Sequence, residues 1–236
     1  MTSDARPAPT APELLASLTD SVRDRMPQTI AELSQLVRIP SVSWDGFDPA
    51  HVRASAEATA ELLRGLEVFD RVDIVQAPVA EESDTLGQPA VLARREPRAG
   101  RPTVLLYAHH DVQPPGDEAL WDSPAFEPTV RGDRLYGRGA ADDKAGVIAH
   151  VAAIRTLVET VGDPDVGIVV FIEGEEEFGS RSFRALLDAH RDTLAADVIV
   201  VADSDNWTID TPSLTVGLRG NAAFTLTIST LAHASH

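Results

Sequence analysis

Residues 166–180 read VGIVVFIEGEEEFGS, a mostly β-branched apolar run that passes directly into four glutamates within five positions. Short, nearly continuous apolar runs are typical of strands that are buried on both faces of a sheet. From about residue 180 to residue 190 the apolar residues have the spacing of a helix, and another apolar run follows at 197–202. The stretch therefore predicts a strand, a helix and a second strand, with carboxylates at the end of the first strand.

The same alternation of helices and strands extends toward the N-terminus. Apolar spacing predicts three further helical regions, at 13–39, 51–66 and 142–161. Within the first region, Pro27 is expected to end or kink one segment and Pro40 to close the next. Shorter runs predict strands in RVDIVQA, AVLARRE and PTVLLYAHHDV, and FEPTVRGDRLYGRG predicts a hairpin with a Gly-Asp turn. These elements indicate an α/β fold, with a mainly parallel twisted sheet and helices on both faces.

The two ends of the chain differ from this α/β region. Residues 1–12 are rich in proline, alanine and threonine and predict a disordered tail. Residues 213–236 alternate as strand residues do, but no helical pattern follows them. We therefore expect one α/β domain over 13–212 and the beginning of a separate antiparallel element from about 213.

Composition narrows the possible partners. The 37 acidic residues outnumber the 20 Lys and Arg, which gives a net charge of −17 and disfavours nucleic acid and anionic membranes, because phosphate binding needs clustered cations. With no cysteine in the chain, any metal must be held by histidine and carboxylates. The first residues, MTSDARPAPTAP, lack a basic region followed by an apolar run, and no stretch approaches the length of a membrane span, so we expect a cytoplasmic protein.

Histidine and carboxylate residues follow the strongest predicted strands. They are His109, His110 and Asp111 after the strand at 103–108, Asp142 and Asp143 at the start of a helix, the four glutamates, and Asp203 and Asp205 after the last strand. Ligands of open α/β sheets bind beyond the carboxyl ends of the strands, so these side chains are expected to meet. Their mutual repulsion favours a bound divalent metal. Singly, each has a simpler interpretation, as a capped turn, a helix N-cap or a solvated loop.

Five ordered motifs carry a resemblance to a known family. They are LLYAHHDVQPPG, LYGRGAADDKAG, EGEEEFGS, VADSDNW and LRG. In this order they resemble the M20 family of co-catalytic metallopeptidases, in the dipeptidase branch that includes the carnosinase-like enzymes. The resemblance spans roughly residues 34–236 and implies a zinc-exopeptidase-like fold and metal-dependent hydrolysis of dipeptides.

The resemblance also implies a pair of divalent ions per full-length subunit, zinc with manganese or cobalt as alternatives, bridged by an aspartate and a water. His109 and Asp203 would bind the first ion. Asp142 would bridge both ions, and Glu177 would bind the second. The histidine that completes the second site in relatives lies beyond the residues present here, so we expect this chain alone to bind one metal and to hydrolyse peptides poorly or not at all.

Three further residues receive catalytic roles from the resemblance. Glu176 would be the general base that takes a proton from the bridging water. Asp111 would orient the imidazole of His109, from which it is two residues distant on the same side of an extended chain. His236 matches a histidine that reaches the partner subunit's site and stabilises the oxyanion in relatives.

The resemblance bears on the domains and the backbone as well. Relatives have roughly twice this length, so 13–212 would be an incomplete catalytic domain and 213–236 the beginning of a lid or dimerisation domain. A homodimer is expected for the full-length protein. The Asp142–Asp143 peptide is expected to be cis, and Lys144, the one lysine of the chain, is expected to be a local ion-pair partner.

Two alternative functions stay open from the sequence. One is a deacylase of N-acyl amino acids from the same family, against which Asp203 argues mildly because those members tend to have glutamate there. The other is a metal-binding module without turnover. A substrate panel on the intact protein separates the deacylase from a dipeptidase, and Glu176→Ala separates an enzyme, which loses nearly all rate, from a binding module, which changes little.

Overall fold

The computed structural model describes residues 10–231. The helices are α1 (Ala11–Val37), α2 (Pro49–Arg64), α3 (Lys144–Val161), α4 (Phe183–Ala189) and α5 (Arg191–Leu194). The strands are β1 (Arg71–Val75), β2 (Ala90–Arg95), β3 (Thr103–His109), β4 (Thr129–Arg131), β5 (Arg134–Tyr136), β6 (Gly167–Glu173) and β7 (Val198–Val201). Short 3₁₀ turns cover Glu118–Leu120 and Glu176–Phe178.

Five strands form one sheet in the order β1-β2-β6-β3-β7, and β4 pairs with β5 in a separate hairpin. β2 is antiparallel to both of its neighbours, whereas β3 is parallel to β6 and to β7. Four of the five strands therefore run in one direction. The register places His109 opposite Glu173, so the ends of the two central strands are adjacent. The predicted hairpin and the mainly parallel sheet are confirmed.

Helices pack on both faces of the sheet, as the sequence predicts. On one face α1, α2 and α3 bury residues such as Leu36, Leu63 and Val151 against β2, β3 and β6. On the other face Phe171 and Leu186 belong to a second cluster that includes α4. Burying each such large side chain stabilises the fold by about 1.5–3 kcal/mol. The sheet is thus packed on both faces, and this packing positions the carboxyl ends of its parallel strands.

The N-terminal helix differs from its prediction in two respects. α1 is one continuous helix that contains Pro27, so of the two expectations the one in which Pro27 ends a segment is wrong. A proline removes one hydrogen bond from a helix, but here ion pairs to α3 flank it: Arg25 Nη2 lies 2.6 Å from Glu159, and Arg155 lies 2.9 Å from Glu32. The helix therefore continues through the proline and contacts α3 on both sides of it.

The start of α1 also falls inside the predicted tail. The helix begins at Ala11, where the Thr10 N–H donates to the Glu13 carboxylate at 2.8 Å and caps the first turn. Residues 1–9 of the predicted tail lie outside the described residues.

The described chain divides into two units, the first ending at Asp203 and the second beginning at Ser204. The second unit contains a turn in which the Trp207 N–H donates to Ser213 Oγ at 2.6 Å, and residues 214–231 are described without a helix or strand. The assignment of a lid domain from 213 stays a prediction. None of the helices in the described range combines the length and apolar character that a bilayer crossing needs.

Candidate metal centre

β3 delivers His109 to the carboxyl edge of the sheet. The imidazole is buried, and its Nδ1 lies 3.1 Å from the Asp111 carbonyl oxygen and 3.3 Å from Asp111 Oδ1. This contact leaves Nε2 facing the carboxylates, 3.1 Å from Asp142 Oδ1. A histidine held at one nitrogen by a carboxylate presents the other nitrogen as a metal ligand. This placement supports the role predicted for Asp111.

The loop before α3 brings two aspartates to the same edge. The Asp142–Asp143 peptide is cis, as expected. Asp143 caps α3 by accepting from the Gly146 N–H at 3.2 Å, and it also accepts from the His109 N–H at 3.1 Å. The aspartate that caps α3 is therefore the buried Asp143. Asp142 does not cap the helix: two-thirds of its side chain is exposed to solvent, and its carboxylate lies next to His109.

The close approach of α3 to this edge depends on Gly146. A Cβ at that position would lie 2.1 Å from the Ala202 carbonyl oxygen and 2.2 Å from Asp143 Oδ1. Both distances are far inside van der Waals contact, so a larger residue would push the helix away from the residues that follow β7. The absence of a side chain at Gly146 thus allows the Asp142–Asp143 loop to lie next to Asp203.

Asp203 follows β7 and completes a three-residue cluster. Its Oδ2 lies 3.9 Å from His109 Nε2, and ligand atoms of His109, Asp142 and Asp203 all lie within 4.8 Å of one another. One imidazole nitrogen and carboxylate oxygens suit zinc, manganese or cobalt. The three residues predicted for the first metal are therefore together, and their donors fit a divalent ion.

Glu176 and Glu177 lie beside this cluster on the 3₁₀ turn after β6. Glu176 Oε2 is 3.9 Å from His109 Nε2, and burial, with the charges of Glu177 and Asp203, raises the pKa of Glu176. Glu177 Oε2 accepts from the Gln113 amide at 2.6 Å. Burial and the charge of Asp142, the other predicted ligand of the second ion, raise the pKa of Glu177.

The other two glutamates of the EGEEE motif hold the loops rather than face the cluster. Glu173 accepts from the Tyr107 hydroxyl at 2.7 Å, and its burial raises its pKa to about 7. Glu175 is buried and accepts from the backbone N–H groups of Ser182 and, at 3.1 Å, Gln88. The sequence suggested only a contribution to the local field, because Tyr107 and Gln88 are 66 and 87 positions from the glutamates that they contact.

Among the described residues, the neighbouring histidine His110 does not join the cluster. His110 is buried beside His109, and its Nε2 lies 2.9 Å from the Pro89 carbonyl oxygen, which points it into the protein. His236 lies outside the described residues, so its predicted role is a proposal.

Sequence reasoning missed two residues that contact the centre, namely Ser43 and Gln113. Gln113 follows Asp111 by two residues in an extended segment, so the alternation of side chains could have placed it at the site. Asp143 was among the residues expected at this edge, but its capping contact with Gly146 was not assigned. Ser43 is 68 positions from the residue that it contacts, and no local pattern indicates that contact.

The charge around His109 predicts how metal binding depends on protons. Burial lowers the imidazole pKa, but the hydrogen bond and charge of Asp111, with Asp143 and Asp203, outweigh it and raise the pKa to about 10. A metal ligand must be neutral imidazole, so zinc must displace that proton. We expect release of roughly one proton per zinc at pH 7, and roughly tenfold weaker binding for each unit of acidification.

Titration calorimetry in buffers with different protonation enthalpies measures this release directly. The slope of the apparent enthalpy against the buffer enthalpy gives the number of protons. His51→Ala, which removes an exposed histidine on α2, should leave the slope unchanged. A slope of zero with tight zinc binding would show that His109 is already neutral and would contradict the prediction.

The fold and the site together define the class of protein. It is an α/β protein whose mainly parallel sheet gathers a histidine and carboxylates, with an adjacent glutamate, at the strand ends, the arrangement of a metal-dependent hydrolase. The family model described as Peptidase family M20/M25/M40 matches residues 105–233, more than half of the chain. The chain belongs to this peptidase family, as its motifs predict.

Several relatives of the chain are dipeptidases. It is 36% identical over 184 residues to the cysteinylglycine-S-conjugate dipeptidase of Corynebacterium striatum, an alignment that covers 78% of this chain and 39% of that protein. The structure of the dipeptidase Dug1p from Saccharomyces cerevisiae matches with a TM-score of 0.72 at 26% identity, over 82% of this chain and 41% of that one. Human carnosine dipeptidase 1 matches with a TM-score of 0.70 at 26% identity, over 82% and 42%. The chain therefore spans about two fifths of the length of these relatives.

Proposed function

We propose that the intact protein is a metal-dependent dipeptidase. The observation that carries the proposal is the convergence of His109, Asp142 and Asp203, whose ligand atoms lie within 4.8 Å of one another beside Glu176. The dipeptidases among its relatives support the same substrate class. Family membership alone leaves several peptidase and deacylase activities open, so the substrate is part of the proposal.

Each residue of the centre has a separate task in this proposal. His109 and Asp203 would hold one divalent ion, Asp142 would be shared between two ions, and Glu177 would hold the second. The bound ions would polarise the peptide carbonyl and acidify the attacking water. Glu176 accepts the proton of that water and transfers it to the leaving amine. Its raised pKa suits this task, because a stronger base takes the proton more readily near neutral pH.

Three finer features are proposed on narrower grounds. Zinc is proposed as the metal from the family resemblance, and manganese and cobalt are alternatives that suit the same ligands. A homodimer, in which His236 of one subunit would contact the substrate in the other, is proposed from the family resemblance. A cytoplasmic location is proposed from the sequence alone.

Hydrolysis of a substrate panel by the intact, zinc-loaded protein tests the proposed activity. We expect dipeptides to be cleaved into two free amino acids, and N-acetyl amino acids of matched side chain to be cleaved more slowly. Chelation of the metal should abolish both reactions and readdition should restore them. Preferential release of acetate would instead identify a deacylase, and no turnover of either class by metal-loaded protein would identify a binding module.

A further inference from the structure

The buried carboxylate of Asp111 contacts both His109 and the 3₁₀ turn that contains Glu176 and Glu177. Its Oδ1 lies 3.3 Å from His109 Nδ1 and accepts from the Glu176 N–H at 3.1 Å. Its Oδ2 accepts from the Glu177 N–H at 3.1 Å and from the Ser43 hydroxyl at 2.6 Å. A buried carboxylate is costly unless such hydrogen bonds satisfy it. The orientation of the Asp111 carboxylate therefore determines the orientation of the His109 imidazole and the position of the turn that contains Glu176, the proposed general base.

Ser43 is the only hydroxyl among these contacts, and it comes from a distant part of the chain. It lies in the segment after α1, and its side chain is buried. The same segment is fixed to the residues after β3 through the backbone, because the Val112 N–H donates to the Ser41 carbonyl oxygen at 3.0 Å. Ser43 thus reaches Asp111 from a segment that is itself held in place.

Lys144 anchors the start of this segment. Its side chain is fully buried, and Nζ donates to the carbonyl oxygens of Leu36 at 2.8 Å and Ile39 at 2.6 Å. These acceptors are at the C-terminal end of α1, where backbone carbonyls lack helical partners and attract a cation. The partners are carbonyls rather than a carboxylate, so the ion pair expected for Lys144 is wrong. The lysine instead ties the segment before Ser43 to the first residue of α3, directly after Asp142 and Asp143.

We propose that Ser43 is a positioning residue of the metal centre, which acts through Asp111 on His109 and on the turn of Glu176 and Glu177. The inference rests on the proposed function, because it assumes that His109 binds a metal and Glu176 acts as the base. Lys144 supports this role by fixing the backbone from which Ser43 reaches the carboxylate.

Removal of the hydroxyl has a defined physical consequence. Asp111 Oδ2 would keep only the Glu177 N–H, and the carboxylate could rotate about its last side-chain bond. Rotation would lengthen the contact with His109 Nδ1 and loosen both backbone contacts on the turn. Partners that orient a metal ligand in this indirect way change metal affinity or activity by about 10–100-fold when they are removed.

Ser43→Ala and Ser41→Ala form a matched pair for the test. Both changes remove one buried hydroxyl from the same segment, but Ser41 contacts only a backbone carbonyl, that of His110, which also accepts from Ser55 at 3.2 Å. Zinc affinity is measured by calorimetry, and Co²⁺ absorption reports the ligand geometry. In the intact protein we expect Ser43→Ala to weaken zinc binding about 10–100-fold, to change the Co²⁺ spectrum and to lower kcat more than it raises KM.

The controls separate positioning from stability. Ser43→Thr, which keeps a hydroxyl, should recover most of the zinc affinity, and Ser41→Ala should keep it even where its loss of thermal stability equals that of Ser43→Ala. Equal zinc affinity and equal Co²⁺ spectra in the two alanine variants would overturn the inference and leave the proposed function standing. Absence of zinc binding in the wild-type protein would overturn the proposed function and the inference together.

Discussion

Glu176→Gln is expected to abolish nearly all hydrolysis while the protein keeps its metal. The amide has the shape of the carboxylate but cannot accept a proton, so the attacking water loses its base. General bases contribute roughly 10²–10⁴-fold to enzymatic rates, and we expect a fall in kcat of that order. Because Glu176 is proposed to contact water rather than the first metal, zinc content and KM should change little. Steady-state kinetics with one dipeptide, together with metal analysis of the same sample, measures both quantities.

Glu82→Gln is the matched control for this prediction. It makes the same chemical change at an exposed loop position of the described chain and should leave kcat unchanged. If Glu176→Gln loses rate and zinc together, Glu176 is a metal ligand rather than the base. If it keeps its full rate, the base lies elsewhere, and the assignment of the glutamates in the EGEEE motif is wrong.

The sequence was sufficient to predict the parts of the fold that depend on local pattern. The apolar runs of β3, β6 and β7 and the helical spacing of α2 and α3 are periodic over enough residues to show their type. Their order along the chain then places His109, the glutamates and Asp203 at one edge, because parallel strands share a carboxyl end. The three-residue cluster follows from this topology and needs no exact coordinates.

Features that depend on contacts between distant segments could not be predicted. The antiparallel direction of β2 is not encoded in its short apolar run, because strand periodicity is the same for both directions. The contacts that α1 makes with α3 on both sides of Pro27 join residues that are more than 120 positions apart. Lys144 could be recognised as unusual from composition, but its acceptors at Leu36 and Ile39 lie more than 100 positions earlier in the chain.

The choice between adjacent candidate residues shows the same limit. Asp142 and Asp143 are equally able to cap α3 on sequence grounds, and only the path of the backbone decides that Asp143 turns inward. That decision matters for function, because the residue that does not cap the helix is free to bind a metal. The resemblance to the peptidase family selected Asp142 for this role, and the local pattern alone left the choice open.

His109→Ala is expected to remove specific zinc binding. His109 is the only imidazole in the described three-residue cluster, so only carboxylates of the cluster would remain, and these suit magnesium, calcium or manganese better than zinc. The loss should exceed the 10–100-fold that is typical for partners that merely orient a ligand. Competition with a chromophoric chelator measures the affinity, and His51→Ala on the exposed surface of α2 should bind zinc as the wild type does.

Thermal unfolding with and without zinc separates the loss of zinc binding from the loss of stability caused by removing the buried imidazole. A ligand that binds only the folded state stabilises it by about 2.7 kcal/mol at a free concentration of 100 times its Kd. At the same zinc concentration, a variant with 100-fold weaker binding gains only about 0.4 kcal/mol. Each protein is compared with itself, so the cavity left by the imidazole cancels from the difference. An equal zinc-induced stabilisation of wild type and His109→Ala would show that zinc binds without His109, and the cluster at the carboxyl edge of the sheet would then not be the metal centre.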